Sequence, residues 1–159
     1  MRRTDREIRD IREIEGILLQ CKTCHLAMAD QGMPYVVPLS FGYRLRNHAL
    51  ELYFHSAHEG KKLDILRRNP KVCFEMACEG EPIFMETPCN SGYYYSSVIG
   101  YGNAEFVCDT AEKREALSII FQCQAGKEMA FTEQQAGTVC IFKIVSTDFT
   151  GKRKAKAAS

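Results

Sequence analysis

Residues 34–43 have the sequence Pro-Tyr-Val-Val-Pro-Leu-Ser-Phe-Gly-Tyr, in which large and small side chains alternate. The large ones are Tyr35, Val37, Leu39, Phe41 and Tyr43, and the smaller ones are Val36, Pro38, Ser40 and Gly42. A period of two is typical of a β-strand, because successive side chains point to opposite faces of a sheet. The stretch therefore predicts a strand with one bulky face and one face of smaller side chains.

Other strand-like segments follow along the chain. Apolar side chains alternate over residues 50–55 and 72–76, and longer strands are predicted over 94–107 and 138–145. In the third segment, Gly100 and Gly102 indicate a bend or a close approach of another backbone. Because no helix follows each strand, a doubly wound parallel sheet is excluded. We predict a mainly β fold, an antiparallel barrel with peripheral helices.

Three or four helices are predicted around this barrel. Residues 4–20 carry apolar side chains at helical spacing behind Thr4, and residues 112–121 form a second amphipathic segment. Between two strands, Ser56 and Glu59 match a capping box and predict that a helix begins there. Residues 79–92 are rich in proline and glycine, and we expect a functional or mobile loop.

Length and composition limit the classes of protein to which this chain can belong. The chain has 159 residues, 45% hydrophobic and 26% charged, which fits one domain over residues 1–151. We expect a basic, disordered tail over residues 152–159. Without this tail the chain has no excess of basic over acidic side chains, which argues against nucleic-acid binding. No apolar run approaches the roughly 18 residues of a membrane span, and no signal-peptide pattern is present, so a cytoplasmic protein is expected.

The cysteines are expected to be reduced thiols rather than disulfides. There are eight, and Cys73, Cys108 and Cys140 lie in apolar, strand-like runs where a thiol behaves as a small hydrophobe. Cys21-Lys22-Thr23-Cys24-His25 matches the pattern for haem attachment. A c-type haem, a redox-active dithiol and a zinc site each lack the required context, so we favour two reduced thiols at a helix-to-strand join. No metal site is predicted.

The most informative stretch for function is residues 53–62, where Lys61 and Lys62 open a predicted helix. Positive charge there opposes the helix macrodipole by a few tenths to about 1 kcal/mol per residue. A bound anion would reverse this effect, because a phosphate could accept hydrogen bonds from first-turn N–H groups, the Ser56 hydroxyl and both ammonium groups, with His55 beside it. The alternative is that Ser56 is only a cap and the lysines are solvated.

No catalytic residue is identified. The four histidines form no convincing set of nucleophile and base, and the sequence patterns of common hydrolases do not occur. Hydrolase activity is therefore not expected.

Five stretches occur together in this chain, namely residues 1–3, 34–43, 52–63, 69–75 and 97–102. In this combination the chain resembles the FMN-binding split-barrel proteins. The similar branch is the pyridoxamine 5'-phosphate oxidase-like one that includes the 5-nitroimidazole-resistance proteins. The resemblance implies a six-stranded antiparallel split barrel and a homodimer with FMN at the interface.

The resemblance also implies positions for the cofactor. Lys61 and Lys62 would grip the FMN phosphate, beside His55, Ser56 and Ala57. The isoalloxazine ring would run along a strand of five residues, Val36, Val37, Pro38, Leu39 and Ser40. Two further residues, Ser97 and Val98, would contact the cofactor from an adjoining strand.

The implied activity is that of an FMN-dependent oxidoreductase of the nitroreductase-like, 5-nitroimidazole-resistance type, with a small-molecule electron donor and acceptor. Vitamin B6 oxidation is not expected, because the chain lacks the arginine-rich C-terminal segment of pyridoxamine 5'-phosphate oxidases. Two alternatives stay open: a flavin-binding or storage protein without turnover, and a module for another ligand such as haem.

Overall fold

The computed structural model of the protein describes residues 3–78 and 80–154. The strands, in chain order, are β1 (Glu7–Ile8), β2 (Thr23–Asp30), β3 (Met33–Ser40), β4 (Gly42–Arg46), β5 (Ala49–Ser56), β6 (Lys71–Cys78), β7 (Pro82–Ile83), β8 (Gly92–Tyr93), β9 (Tyr95–Val107) and β10 (Cys140–Lys154). The α-helices are α1 (Ile11–Gln20), α2 (Lys61–Arg68), α3 (Thr110–Ala125) and α4 (Glu133–Gly137).

The large sheet is antiparallel, with the order β3-β2-β6-β9-β10-β5-β4, and β1 pairs with the far end of β10. β3 and β4 lie at the two ends of this order, yet Phe41 alone separates them in the chain. The chain itself therefore joins the ends of the sheet. With β3 and β4 counted as one bent strand, the ring has six strands. The predicted mainly β antiparallel barrel is confirmed.

Apolar side chains at alternate positions of the strands fill the interior of the barrel. Leu50, Leu52 and Phe54 of β5 are fully buried, and the Phe54 ring stacks on Phe142 of β10 with centroids 5.1 Å apart. Burying each such side chain contributes about 1.5–3 kcal/mol. The predicted close approach at the glycines of β9 is also present, because a Cβ on Gly100 would lie 2.8 Å from the carbonyl oxygen of Asp148 in β10.

The predicted N-terminal helix begins later than expected. Residues 4–6 form a 3-10 turn, β1 follows, and α1 begins at Ile11 with the Asp10 side chain accepting a hydrogen bond from the Arg12 N–H. The prediction of a helix from residue 4 is wrong because Ile8 pairs with Gly151 of β10 and is buried. A pairing so distant in sequence overrides the local helical period.

The predicted start of the second helix is also wrong. β5 continues through Ser56, which pairs with Cys140, and α2 begins only at Lys61. Gly60 is its N-cap, with a φ of 139° that glycine adopts easily, and no side chain caps the helix. The Ser56–Glu59 capping box does not form. A capping box occurs instead at Thr132 and Gln135, where α4 begins.

β10 is longer than predicted and includes the start of the expected tail. Lys152, Arg153 and Lys154 pair with Ser97, Ser96 and Tyr95 of β9. The expectation of a disordered tail from residue 152 is therefore corrected for these three residues, while residues 155–159 lie outside the described ones. The connection over residues 79–92 contains the short β7–β8 hairpin and a 3-10 turn at Pro88–Asn90, and Glu79 lies outside the described residues.

α3 packs on the outside of the barrel and forms a second core. Its buried residues Ala116, Leu117, Ile119 and Ile120 contact Tyr53 of β5 and Ile141 of β10. No helix in the described part of the chain is both long and apolar enough to cross a bilayer.

Candidate functional site: the β5–α2 turn and the outer face of β3

The two faces of β3 differ as predicted. Val37 and Leu39 are half-buried against the barrel core, whereas Pro38 and Ser40 are exposed and Val36 is 54% exposed. The outer face therefore offers a strip of small side chains, Val36, Pro38 and Ser40, along which a flat ring could lie close to the backbone. We call these three residues the β3 strip.

Beside the β3 strip, the end of β5 leads into the turn before α2. His55 and Ala57 are exposed, while Ser56 is only 7% exposed. The Ser56 hydroxyl makes no hydrogen bond to any described residue. Because no buried side-chain oxygen of the described residues lacks a partner, this hydroxyl reaches solvent at the turn, where a ligand could hydrogen-bond to it.

The N-terminus of α2 completes the turn. The N–H groups of its first two residues have no partner within the helix, and no side chain caps them. We call Ser56, Lys61, Lys62 and these N–H groups the phosphate cradle. The structure places Ser56 at the end of β5 and both lysines in the first turn of α2, and their binding of a phosphate stays a prediction.

The two lysines of the cradle have different surroundings. The Lys61 ammonium lies 3.9 Å from an Asp30 carboxylate oxygen and 4.7 Å from the centre of the Tyr35 ring. Asp30 also accepts a hydrogen bond from Arg68 at 2.9 Å. These contacts hold Lys61 near β3. Because Asp30 is shared between Lys61 and Arg68, its single negative charge does not fully neutralise Lys61.

Lys62 contributes to a positive field at the other side of the cradle, where Cys140 pairs with Ser56. Burial raises the pKa of the Cys140 thiol, while the charges of Arg67, Lys113 and Lys62 act to lower it. Lys62 forms no ion pair with a described residue. The field around Ser56 therefore favours an anion.

A cavity of about 460 Å³ reaches the β3 strip at Ser40 and the end of β5 at His55, the neighbour of Ser56. Its lining includes Ser40 and His55 from the barrel, and Leu117, Ile120, Phe121, Gln124, Phe131, Gln135, Thr138 and Val139 from α3, α4 and the adjoining segments. Gln124 donates to the Phe41 carbonyl at 2.8 Å, and the Gln135 side chain accepts from the Thr132 N–H. Among the lining residues, His55 is the one with an imidazole side chain.

The sequence analysis missed the α4 side of this cavity. No element is predicted over residues 131–137, although Thr132 and Gln135 match the capping-box pattern that begins α4. The helical stripe of α3 was predicted, and Leu117, Ile120 and Phe121 of that stripe do line the cavity.

Ser97 and Val98 are placed elsewhere in the subunit. They lie on β9, which β2 and β6 separate from β3, and the Val98 side chain is fully buried in the core. Their contact with a cofactor stays a prediction. Within one subunit the structure does not bring them to the β3 strip.

The cysteine predictions have mixed outcomes. All eight are free thiols. Cys21 follows α1 and Cys24 lies in β2, so the predicted helix-to-strand join is confirmed. Cys108 is exposed beyond the end of β9, so its prediction as a strand residue is wrong. No group of three or more potential metal ligands occurs among the described residues.

The comparisons with known proteins agree with the barrel fold. A family model described as pyridoxamine 5'-phosphate oxidase matches residues 10–153. The chain belongs to the pyridoxamine 5'-phosphate oxidase family. A comparison with curated proteins found no significant match.

Several solved structures resemble this member of the family. A candidate 5-nitroimidazole antibiotic resistance protein from Bacteroides thetaiotaomicron is 33% identical, with a TM-score of 0.79, over 92% of this chain and 86% of that one. An FAD- and haem-binding protein from Mycobacterium smegmatis is 15% identical, with a TM-score of 0.81, over 97% of this chain and 76% of that one. A flavocytochrome from Azotobacter vinelandii is 18% identical, with a TM-score of 0.80, over 98% and 72%. The last two likenesses concern the fold alone.

Proposed function

We propose that the protein binds FMN and acts as an FMN-dependent oxidoreductase of the nitroreductase-like, 5-nitroimidazole-resistance type. The observation that carries the proposal is the phosphate cradle, in which Ser56, whose hydroxyl has no hydrogen-bond partner among the described residues, precedes an uncapped helix N-terminus that begins with two lysines. The 33% identity to the candidate resistance protein supports the choice of reaction class.

The charge of the cradle favours a terminal phosphate. A phosphate monoester carries about −1.5 to −2 at neutral pH, whereas each phosphate of a diester carries a single charge. Lys61, Lys62 and the positive end of α2 suit the more highly charged group. This supports FMN over FAD.

The β3 strip would support the flavin ring in this arrangement. Its exposed residues Val36, Pro38 and Ser40 lie on the outer side of the barrel, while Val37 and Leu39 anchor the strand in the core. The flavin, when bound, would supply the hydride or electron chemistry. The chain's own residues would hold the phosphate, orient the ring and keep water from one of its faces.

The neighbouring cavity would receive the small-molecule electron acceptor. Its walls are mainly apolar, and its glutamines already make hydrogen bonds within the protein. Such walls suit an uncharged ring compound. His55, at the boundary between cavity and cradle, is the side chain placed to donate or accept a proton there.

We also propose a homodimer that covers the β3 strip. On the outer face of the sheet, Val36 pairs with Ala27, Ala27 with Cys73, and Cys73 with Tyr101. Val36 and Tyr101 are 54% and 56% exposed, so this row ends in large apolar side chains at both sides. A contiguous apolar face of this kind favours a partner surface, and a second copy would enclose a ring lying on the β3 strip.

A second candidate is a flavin-holding protein without turnover. It is favoured by the cavity lining, which contains no ionisable side chain other than His55. The two candidates differ in whether the bound flavin exchanges electrons with a nicotinamide donor and a nitroaromatic acceptor.

The first experiment is an absorption spectrum of freshly purified protein, with mass identification of whatever heat releases. The proposal expects flavin bands and the mass of FMN, and anaerobic bleaching by NADPH or NADH that a nitroimidazole reverses. A Soret band without flavin bands would overturn it in favour of haem. Bound FMN that no donor reduces would favour the flavin-holding candidate.

A further inference from the structure

Two cysteines outside the proposed flavin site lie against one another beneath α1. Their Sγ atoms are 3.2 Å apart, although 57 positions separate Cys21 and Cys78 in the chain. Cys21 caps the C-terminus of α1, and Cys78 is the last residue of β6. The two sulfurs are already within about 1.2 Å of a disulfide bond length of about 2.05 Å.

The hydrogen bonds indicate which of the two thiols is the donor in the contact between the sulfurs. The Cys78 Sγ–H group donates to the Ile17 carbonyl at 3.4 Å, so the contact between the sulfurs is donated by Cys21. Burial, followed by the hydrogen bond to Cys78, raises the pKa of the Cys21 thiol. Cys21 is 5% exposed, whereas Cys78 is half-buried. An oxidant therefore reaches Cys78 first.

The other cysteines do not offer this geometry. Cys24, which shares the Cys-x-x-Cys pattern with Cys21, is fully buried, and burial raises the pKa of its thiol to about 12. Cys73 lies on the same strand as Cys78 but on the opposite face, where it pairs with Tyr101. Among the described residues, Cys21 and Cys78 are the pair whose sulfurs are in contact.

We propose that Cys21 and Cys78 form a reversible disulfide when the protein meets a peroxide. In the first step the Cys78 sulfur attacks the peroxide, the O–O bond breaks, and Cys78 sulfenic acid and water form. In the second step the Cys21 sulfur attacks the Cys78 sulfur, the S–O bond breaks, and a second water leaves. Two thiols lose two electrons to hydrogen peroxide, and both protons end in water.

The bond would fasten the end of α1 to the end of β6. The loop that it closes contains the β3 strip and the phosphate cradle. This loop ends at Cys78, one residue before the segment over residues 79–92, so oxidation would fix one end of that connection. The proposal does not depend on the flavin, because the oxidant acts directly on the thiol pair.

The test uses the reduced full-length protein, freed of reductant and treated with one to two equivalents of hydrogen peroxide. We expect free thiols to fall from eight to six, a mass loss of two daltons, and one peptide cross-link that joins Cys21 to Cys78. Dithiothreitol should restore all eight thiols. Persistence of eight thiols, or a cross-link between any other pair, would overturn the proposal.

Matched variants separate the two roles. C21A should leave Cys78 as a sulfenic acid that dimedone traps, and C78A should form no cross-link. The controls C24A, for the buried position, and C73A, for the half-buried strand position, should keep the Cys21–Cys78 cross-link. If C21A gives no sulfenic acid at Cys78 while it remains folded by circular dichroism, the assigned order of the two thiols is wrong.

Discussion

The N-terminus of α2 differs from those of the other three α-helices. α1, α3 and α4 are capped by Asp10, Asp109 and Thr132, whose side chains accept hydrogen bonds from backbone N–H groups. α2 begins after Gly60 with no capping side chain, and its first two residues are lysines. Three helices thus supply their own acceptor, while the fourth leaves its N–H groups open and adds positive charge. This difference favours an external anion at α2.

Asp64 does not remove this contrast. It lies in the first turn of α2, but it forms an ion pair with Arg67 at 3.1 Å. Its carboxylate is therefore engaged on the helix surface rather than at the open N–H groups.

The largest effect is expected from removing both cradle lysines. In K61A/K62A, two charge-assisted hydrogen bonds of about 1.5–3 kcal/mol each are lost, so FMN affinity should fall roughly 10²- to 10⁴-fold. Flavin fluorescence quenching measures the change. The control K71A/K127A removes two exposed lysines from other parts of the surface and should bind FMN normally. A double variant within fivefold of the native affinity would contradict the phosphate cradle.

The next largest effect is expected at Ser56, and Ser146, the other buried serine, serves as its comparison. S56A should weaken FMN binding by roughly 10- to 100-fold, since one hydrogen bond to a charged group contributes about 1.5–3 kcal/mol. The stability of the flavin-free protein should hardly change, because the Ser56 hydroxyl has no partner among described residues. Urea unfolding of the flavin-free form and flavin titration measure the two quantities.

S146A is the matched control, and it should give the reverse result. The Ser146 hydroxyl donates to the Tyr101 carbonyl at 2.6 Å, so its loss should cost about 1–3 kcal/mol of unfolding free energy. FMN affinity should be unchanged in the folded variant. If S56A destabilises the flavin-free protein as much as S146A does, Ser56 has a structural role instead.

A smaller effect is expected at the capped helices. D10A and D109A should each lower the free energy of unfolding by about 1 kcal/mol, because each removes the acceptor for a first-turn N–H group. This corresponds to a fall in Tm of roughly 2–4 °C for a domain of this size. Loss of FMN affinity in either folded variant would show that the contrast between α2 and the other helices is not the basis of binding.

The smallest effect concerns α2 without ligand. K62Q removes a positive charge from a helix N-terminus, so the flavin-free protein should become more stable by a few tenths of a kcal/mol at low salt. With saturating FMN the native protein should be the more stable of the two, because it binds FMN more tightly and binding adds more to its free energy of unfolding. Chemical unfolding in both states is the measurement. A flavin-free K62Q protein less stable than the native one would indicate that Lys62 is already satisfied within the chain.

Much of the barrel follows from local sequence pattern. The alternation of Leu50, Leu52 and Phe54 predicts β5 with its inner face, and the alternation over residues 34–43 predicts the two faces of β3. These patterns are reliable because a slip of one residue would move every apolar side chain to the wrong face.

The wrong predictions concern segments whose secondary structure is determined by strand pairing with residues that are distant in sequence. Ile8 belongs to a strand because Gly151 lies beside it, and Ser56 stays in β5 because Cys140 pairs with it. Neither partner is visible in a local window. Ser56, Lys61 and Lys62 lie on either side of one short turn whether α2 begins at residue 57 or at residue 61, and their role in phosphate binding stays a prediction. Contact of Ser97 and Val98 with a cofactor stays a prediction.

The most direct test of the central claim is a pair of calorimetric titrations of the flavin-free native protein, one with FMN and one with riboflavin. The two ligands share the ring and differ in the phosphate. We expect FMN to bind at least about 100-fold more tightly, since the cradle acts on the phosphate alone. Equal affinities for the two ligands would contradict a phosphate site at the N-terminus of α2.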